Sequence, residues 1–390
     1  MKLAERMHRL GTESAFEVAA RARALEAAGR PMIHLEIGEP DFDTPAHIRQ
    51  AACAALEAGY THYGPSTGIP ELREVLAQHI GAKRGITADP ANVIVTPGAK
   101  PIMFYAILAL VEPGDQVIYP NPGFPIYESM INFIGGEAIP LQLSESRGFA
   151  FDVDDLAALI SNRTRMIILN SPHNPTGGAL PRDLLKGIAD LAKQHDLVVL
   201  ADEIYSDLVY EGEHHSILEF PGMLERTILL DGFSKTYAMT GWRLGYGLFP
   251  APLVPHVSRL IINSVSCTST FSQKAAVEAI TGPTGEVEHM VEQFRQRREL
   301  VVRGLNEIPG LTCVMPQGAF YAFPNITGVG MDSRSYADDL LTQADVAVLP
   351  GTAFGQFGEG YIRISFANSM ENLQEALNRI TRANERLLQK

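Results

Sequence analysis

A lysine and an arginine stand eight residues apart in the stretch LLDGFSKTYAMTGWRLGYG, which covers residues 229–247. Lys235 follows a short apolar run and is flanked by Ser234 and Thr236, and Arg243 follows the only tryptophan of the chain. A lysine in this setting has three alternative functions: a surface charge, a ligand of a phosphate group, or a covalent anchor for a cofactor. The residues that follow the other predicted strands help to choose among them.

The turn PGAK (residues 97–100) directly follows the predicted strand VIVT and precedes a predicted helix. In this position the backbone N–H groups of Gly98, Ala99 and Lys100 could bind a phosphate at the start of the helix. The alternative is a turn that only connects the strand with the helix.

Polar residues also follow two further predicted strands. Asn174 lies in the proline-rich turn after MIILN, and Asp202 and Tyr205 come after LVVL. Because Asp202 ends an apolar run, we expect its carboxylate to be partly buried and to need a cationic partner. A helix cap or a structural ion pair is the alternative interpretation of this residue.

A ligand that uses all of these groups must offer a phosphate, a ring that pairs with a carboxylate, and a carbon that reacts with a lysine. A nucleotide accounts only for the phosphate-binding groups, and the P-loop pattern GxxxxGK[ST] is absent. Pyridoxal phosphate meets every requirement, because its aldehyde forms a Schiff base with a lysine and its pyridinium nitrogen needs a carboxylate. The residues therefore indicate pyridoxal phosphate, with Lys235 as its covalent anchor.

The elements that must position these groups predict an α/β fold. In the middle of the chain, short apolar strands alternate with helical stretches, which is typical of a parallel sheet covered by helices on both faces. Ligands of such sheets bind beyond the carboxyl ends of the strands. We predict a large cofactor-binding domain over residues 46–290 and a small α+β domain from residues 1–45 and 291–390. Ser14 and Glu17 are spaced as a capping box, which predicts the start of an N-terminal helix.

The composition is that of an ordinary globular protein, with 390 residues of which 46% are hydrophobic and 20% charged. The net charge of −13 argues against nucleic acid or an anionic membrane as the main partner. Three widely separated cysteines predict neither a disulfide framework nor a metal site. The first thirty residues lack an apolar signal segment and no apolar run is long enough to span a membrane, so we expect a cytoplasmic protein.

A set of motifs extends over nearly the whole chain. They are GEPDFDTP (38–45), THYGPSTGIPELR (61–73), NSPHNPTGG (170–178), ADEIY (201–205), SKTYAMTGWRLGY (234–246), PQGAFYAF (316–323) and YIRISFA (361–367). As a set they are highly specific, and the chain resembles the class I (fold type I) pyridoxal-phosphate-dependent aminotransferases, especially the bacterial aspartate and aromatic aminotransferases. The resemblance implies a large domain with a mostly parallel seven-stranded sheet, and a homodimer.

The resemblance also implies a function for each matching residue of the cofactor site. Lys235 would form the Schiff base, Asp202 would pair with the pyridine nitrogen, and Asn174 and Tyr205 would contact the ring hydroxyl. Lys235, Asp202 and Tyr205 are the expected catalytic residues. The other expected cofactor-binding residues are Gly98, Ala99, Lys100, Phe124, Ser234, Arg243 and, across the dimer interface, Tyr63.

Four residues are expected at the substrate. Arg363 would bind the α-carboxylate as a bidentate fork, with Gly38 and Asn174 beside the substrate. Because Arg363 alternates with apolar residues, a strand charge that faces solvent is the alternative. In some relatives a lysine at the position of Lys100 binds the side-chain carboxylate of aspartate or glutamate. The alternative for Lys100 is a contact with the phosphate or with solvent.

These assignments predict transfer of an amino group between an L-amino acid and a 2-oxo acid by a ping-pong mechanism. Glutamate with 2-oxoglutarate is the expected common pair, and aspartate a further substrate. A C–S β-lyase, or another reaction through the same α-carbanion, is the alternative. A pyridoxal-phosphate-sensing transcription regulator is disfavoured, because GEPDFDTP begins at Gly38 and leaves no space for a DNA-binding domain before it.

One position departs from the family pattern. Many relatives carry a serine three residues before the lysine as a phosphate ligand, but this chain has Gly232 there. Ser234 would replace that serine, or the phosphate would depend more on Arg243 and the turn at 98–100.

Overall fold

The computed structural model describes residues 1–389. In the first half of the chain the elements are α1 (Ala15–Ala27), β1 (Ile33–His34), α2 (Ala46–Glu57), α3 (Pro70–Arg84), β2 (Val93–Thr96), α4 (Lys100–Leu110), β3 (Gln116–Asn121), α5 (Ile126–Ile134), β4 (Glu137–Gln142), α6 (Val153–Leu159), β5 (Thr164–Asn170) and α7 (Arg182–Gln194).

In the second half they are β6 (Val198–Asp202), β7 (Thr227–Gly232), β8 (Gly245–Leu248), α8 (Val254–Ser264), α9 (Thr270–Thr281), α10 (Gly285–Glu307), β9 (Tyr321–Ala322), α11 (Ser333–Gln343), β10 (Val346–Ala347), β11 (Leu349–Pro350), β12 (Ile362–Ser365) and α12 (Met370–Leu388).

Seven strands form the central sheet, in the order β2-β8-β7-β6-β5-β3-β4. Only β8 runs antiparallel to its neighbours, and the other neighbouring strands are parallel. Every residue of β2, β3, β7 and β8 is buried, as expected for strands that are covered by helices on both faces. The predicted α/β fold with a mostly parallel seven-stranded sheet is therefore confirmed.

The carboxyl ends of the central strands bring several of the predicted residues to one edge of the sheet. Asn170 at the end of β5 is paired in register with Asp202 at the end of β6, and Asp202 is paired with Leu230 in β7. The chain then leaves β7 at Gly232 and reaches Lys235 within one turn. Ligands of open α/β sheets bind at this edge, so the topology itself places these side chains where chemistry is expected.

The N-terminal and C-terminal segments meet in small sheets beside the central one. Strand β1 pairs in parallel with β10, with Ile33 opposite Val346, and β11, β12 and β9 form an antiparallel sheet. This pairing supports a small domain built from both ends of the chain. The division at residues 290 and 291 stays a prediction, and it falls inside the continuous helix α10.

The predicted N-terminal helix forms as α1, but its predicted capping box is wrong. An N-cap side chain accepts a hydrogen bond only when its own backbone is extended, whereas Ser14 has helical angles, with φ −65° and ψ −15°. The Ser14 hydroxyl makes no capping hydrogen bond and is buried instead. Among residues 1–389, no helix is long and apolar enough to cross a membrane.

A buried ion network fixes the sheet edge from the side of α3. Arg84, the last residue of α3, donates to Glu203 at 2.8 Å and to Asp231 at 2.9 Å, and all three side chains are almost wholly buried. Glu203 directly follows Asp202, and Asp231 stands four residues before Lys235. The network therefore holds together the ends of the two strands that carry the predicted catalytic residues.

Candidate active site

A cavity of about 380 Å³ opens at the carboxyl edge of the central sheet. Most of the predicted site residues line it: Gly38, Ala99, Lys100, Phe124, Asn174, Asp202, Tyr205, Ser234, Lys235, Arg243 and Arg363. Two predicted residues do not. Gly98 lies beneath the guanidinium of Arg243, and Tyr63 is 89% exposed on the outside of the chain.

Lys235 reaches into the cavity as a buried amine. Its Nζ donates to the carbonyl oxygen of Gly38 at 2.6 Å. Burial lowers the pKa of this amine from 10.5 to about 8, although the charge of Glu39 acts in the opposite direction. A lysine with such a pKa is partly neutral close to physiological pH, which is the state in which it is a nucleophile or a base. The surface-charge interpretation of Lys235 is therefore wrong.

Uptake of pyridoxal phosphate by the cofactor-free protein is expected to accelerate as the pH rises towards about 8 and then to level off. The amine is protonated below its pKa of about 8 and cannot attack a carbonyl carbon, and above that pH it is neutral. The measurement is the rate of the absorbance change on mixing, with the reaction of free Nα-acetyl-lysine as the matched control. A midpoint near the ordinary 10.5 would contradict the lowered pKa.

Asp202 is a buried carboxylate without a cationic partner. Tyr127 donates to its Oδ2 at 2.5 Å and the backbone N–H of Ile204 to its Oδ1 at 3.2 Å. Burial raises the pKa of Asp202 to about 6. The nearby cation, Arg84, pairs with Glu203 instead, and within residues 1–389 no basic side chain forms an ion pair with Asp202. The structural ion pair considered for Asp202 is therefore not formed, and the carboxylate is available to a cation on a ligand.

Two polar pairs position the groups beside Asp202. Asn170 accepts from the backbone N–H of Asn174 at 2.9 Å and thereby fixes the turn that carries the Asn174 side chain. The hydroxyls of Tyr205 and Tyr321 are 2.7 Å apart. Burial, together with Tyr321, holds the pKa of Tyr205 well above its ordinary value, so its phenol stays protonated and can donate a hydrogen bond.

The turn at 98–100 packs against Arg243 in an arrangement suited to bind an anion. Helix α4 begins at Lys100, so its first backbone N–H groups lie at the positive end of the helix dipole. Gly98 has a φ of +81°, and a Cβ there would lie 2.3 Å from Arg243 Nη2. Gly245 permits an equally close approach, because its Cβ would lie 2.4 Å from the nitrogen of Ala99. Glycine at both positions therefore lets the arginine close over the start of the helix.

Close packing explains why Gly232 stands where a phosphate-binding serine was expected. A Cβ on Gly232 would lie 3.1 Å from the Cα of Gly245 and 3.2 Å from Ile204, so a side chain there would be crowded. Ser234, in contrast, is buried and lines the cavity. Its replacement of the missing serine stays a prediction.

Arg363 does not face solvent, as the alternative interpretation required, but is 4% exposed. Its Nη1 donates to Asn174 at 3.1 Å, and its Nη2 donates to the carbonyl of Glu36. Its guanidinium carbon lies 4.5 Å from the ring centroid of Tyr321 and 4.9 Å from that of Phe354. Its Nε is buried and has no hydrogen-bond partner among the described residues. A buried arginine with an unused donor is suited to bind a carboxylate.

Lys100 also lines the cavity and has a protein partner. It forms an ion pair with Glu13, and its Nζ lies 5.3 Å from the ring centroid of Phe124. Neither Glu13 nor this pairing was predicted from the sequence.

Sequence reasoning also missed Tyr127, Tyr321 and Glu39, which line the cavity beside the predicted residues. Tyr321 lies in the motif PQGAFYAF, so its membership of a family motif was the signal that could have located it. Tyr127 and Glu39 stand close to predicted residues in the chain, but nothing in their spacing indicates that they face the site.

The residues present fit pyridoxal phosphate. The site offers a buried amine with a lowered pKa, a buried carboxylate that lacks a cation, and a glycine cradle closed by an arginine. These three features correspond to the aldehyde, the pyridinium nitrogen and the phosphate of that cofactor.

The chain is similar to known proteins over nearly its whole length. The sequence model of the family Aminotransferase class I and II matches residues 30–380. The aspartate aminotransferase of Pyrococcus horikoshii is 42% identical over 386 residues, which are 98% of this chain and 97% of that protein. The aromatic-amino-acid aminotransferase 2 of Thermococcus litoralis is 40% identical, with 97% of each chain covered.

Comparison with solved structures also finds aminotransferases. The structure of the aspartate aminotransferase from Thermus thermophilus with maleate has a TM-score of 0.95 and 38% identity, and the match covers 98% of this chain and 100% of that one. The protein belongs to the class I and II aminotransferases. It is a transaminase that acts on amino acids and uses pyridoxal phosphate as its cofactor.

Proposed function

We propose that this transaminase moves an amino group between glutamate and other L-amino acids, among them aspartate, with the 2-oxo acids as acceptors. The observation that carries this proposal is the presence of two basic side chains, Lys235 with its lowered pKa and the buried Arg363, in one cavity. A substrate whose carboxylate binds Arg363 presents its Cα and amino group to the interior of the cavity. The relatives named above act on aspartate and on aromatic amino acids, which supports an amino acid of either type as a second substrate.

The α-carboxylate is assigned to Arg363. Its guanidinium is held by Asn174 and by two aromatic rings, so its orientation is fixed before a substrate binds. The backbone of Gly38 lies beside the Lys235 amine, and a Cβ at Gly38 would lie 2.0 Å from the hydroxyl of Tyr321. Glycine is therefore required there to keep the substrate end of the cavity open.

Lys235 is the residue that we propose to move the proton at the substrate Cα. When bound, pyridoxal phosphate withdraws electrons from the substrate Cα and carries the amino group from one half-reaction to the next, which gives ping-pong kinetics. An amine with a pKa of about 8 can both accept and return a proton near neutral pH. Asp202 lies beneath the same cavity and would hold the ring nitrogen in its protonated state.

The remaining predicted residues are assigned to cofactor binding by their places in the cavity. Asn174 and Tyr205 present an amide and a protonated phenol, and Phe124 presents an aromatic face. The phosphate would be held by Arg243, Ser234 and the backbone at 98–100, and Lys100 lies beside them.

We further infer a homodimer in which Tyr63 of one subunit completes the phosphate site of the other. Tyr63 cannot contribute to the cavity of its own chain, because it is 89% exposed and does not line that cavity. Helices α4 and α8 pack against each other and leave Phe104, Leu108 and Ile262 exposed, which supports an interface at these helices. Sedimentation measures the oligomeric state, and a fully active monomer would contradict this inference.

A single turnover of the cofactor-loaded enzyme with glutamate tests the proposed function. We expect about one molecule of 2-oxoglutarate per site and no free ammonia, because the amino group stays with the enzyme until a 2-oxo acid is added. The same experiment with aspartate tests the second donor. Release of ammonia, or of pyruvate and a thiol from a cysteine conjugate, would instead indicate a lyase.

A further inference from the structure

The N-terminal segment places a carboxylate in the lining of the cavity. The segment lies along α5, where Arg9 donates to the carbonyl of Asn132 at 2.9 Å and the N–H of Gly11 donates to Ser129 at 2.9 Å. Glu13 stands two residues after Gly11 and lines the cavity. Its position is therefore fixed by contacts with the large central-sheet part of the molecule.

Glu13 and Lys100 form an ion pair at this wall. The Glu13 side chain is more buried than that of Lys100, which is half exposed and extends over the ring of Phe124. Both residues line the cavity that contains Lys235 and Arg363. A substrate side chain that extends to Lys100 therefore meets a neutralised lysine rather than a free positive charge.

The charges of this pair act on the whole cavity. Burial lowers the pKa of both Lys235 and Arg363, and the negative charge of Glu13 acts against that effect at each of them. Lys100 lowers the pKa of Lys235 further. The pair is thus close enough to the reacting groups to influence which substrate charges the cavity accepts.

We propose that Glu13 is a specificity-determining residue that competes with a substrate's second carboxylate for Lys100. With a dicarboxylic substrate such as glutamate, Lys100 must release Glu13 before it can bind the substrate side chain. With an uncharged substrate such as phenylalanine, the pair stays intact and the wall carries no net charge. One cavity can then accept both classes, at the cost of weaker binding of dicarboxylates. This inference rests on the proposed function and, of the two alternatives for Lys100, takes binding of the substrate side chain.

Removal of the competing charge tests the inference. In Glu13→Gln we expect the dissociation constant for succinate, an unreactive dicarboxylate, to fall about fivefold. This factor corresponds to the loss of a partly exposed ion pair, which contributes up to about 1 kcal/mol. We expect the ratio of kcat/KM for glutamate to that for phenylalanine to rise by about the same factor. Calorimetry of the cofactor-loaded enzyme measures succinate binding, and initial rates give the ratio.

Two further variants separate competition from a general change of charge. Glu17→Gln removes an equal charge from the exposed first turn of α1, four residues after Glu13 and outside the cavity lining, and should leave succinate binding unchanged. In a Lys100→Gln background, Glu13→Gln should no longer strengthen succinate binding, because the competition needs the lysine.

Equal effects of Glu13→Gln with and without Lys100, or weaker succinate binding in Glu13→Gln, would overturn the inference. Succinate binding requires no turnover. It therefore tests the Glu13–Lys100 competition separately from the proposed function, which fails if no 2-oxoglutarate is formed from glutamate.

Discussion

Lys235→Ala is expected to lower kcat by at least about 10⁴-fold, the largest loss of activity for any single substitution in this protein. The variant lacks the amine whose pKa is lowered to about 8 in the cavity, so the group assigned to take the proton from the substrate Cα is gone. The rate of 2-oxoglutarate formation in a single turnover measures the effect. The cofactor should also be lost on dialysis, because its covalent attachment is gone.

Two further variants are controls. One keeps the positive charge at position 235, and the other replaces a lysine outside the cavity. Lys235→Arg keeps the positive charge, but a guanidinium cannot release its proton, so we expect it to be as inactive as the alanine variant. Lys186→Ala removes an exposed lysine on α7 and should behave like the parent. A Lys235→Ala enzyme within tenfold of the parent rate would contradict the assignment of Lys235.

Arg84→Met is expected to lower the free energy of unfolding by about 3–5 kcal/mol. Methionine fills a similar volume but leaves the buried carboxylates of Glu203 and Asp231 without their shared cation. Burial alone would raise the pKa of Glu203, but Arg84 and His214 lower it to about 2. The stability that Glu203 contributes is therefore present above its ordinary pKa of 4.5 and is lost as the pH falls towards 2. Denaturant unfolding at neutral pH measures the difference.

The matched control is Arg295→Met, since Arg295 also pairs with two carboxylates, Glu292 and Glu299, but on the solvent-exposed face of α10. We expect no resolvable change in stability there. If Arg84→Met does not fold, the triple variant with Glu203→Gln and Asp231→Asn should fold, because it buries no unpaired charge. An Arg84→Met protein as stable as the parent would show that the network contributes little.

The same network explains why neighbouring carboxylates have different functions. Asp202 and Glu203 are adjacent, and on a strand successive side chains point to opposite faces of the sheet. Glu203 therefore meets Arg84 on the side of α3, while Asp202 faces the cavity and keeps a pKa raised to about 6. The sequence predicted that Asp202, which ends the apolar run, needs a cationic partner. Within the protein the nearby cation, Arg84, pairs with Glu203 instead.

The sequence alone determined the class of fold and the gathering of the main site residues. Buried parallel strands read as short apolar runs, and their carboxyl ends meet at one edge, so the residues after each run could be assigned to a common site. Asn174, Asp202, Tyr205 and Lys235 were located in this way, and all of them line the cavity. Their individual functions stay predictions.

Only the tertiary structure decided which side chains meet across long distances in the chain. Glu13 and Lys100 are 87 residues apart, and Arg84 and Asp231 are 147 apart. The spacing of apolar residues along a helix or strand shows which of its faces is buried. It does not show which other helix or strand covers that face. Even the local signal at Ser14 failed, because packing of the segment set a backbone that cannot cap. Patterns along the chain therefore predicted where the chemistry lies, whereas packing between elements determined which charges neutralise one another around it.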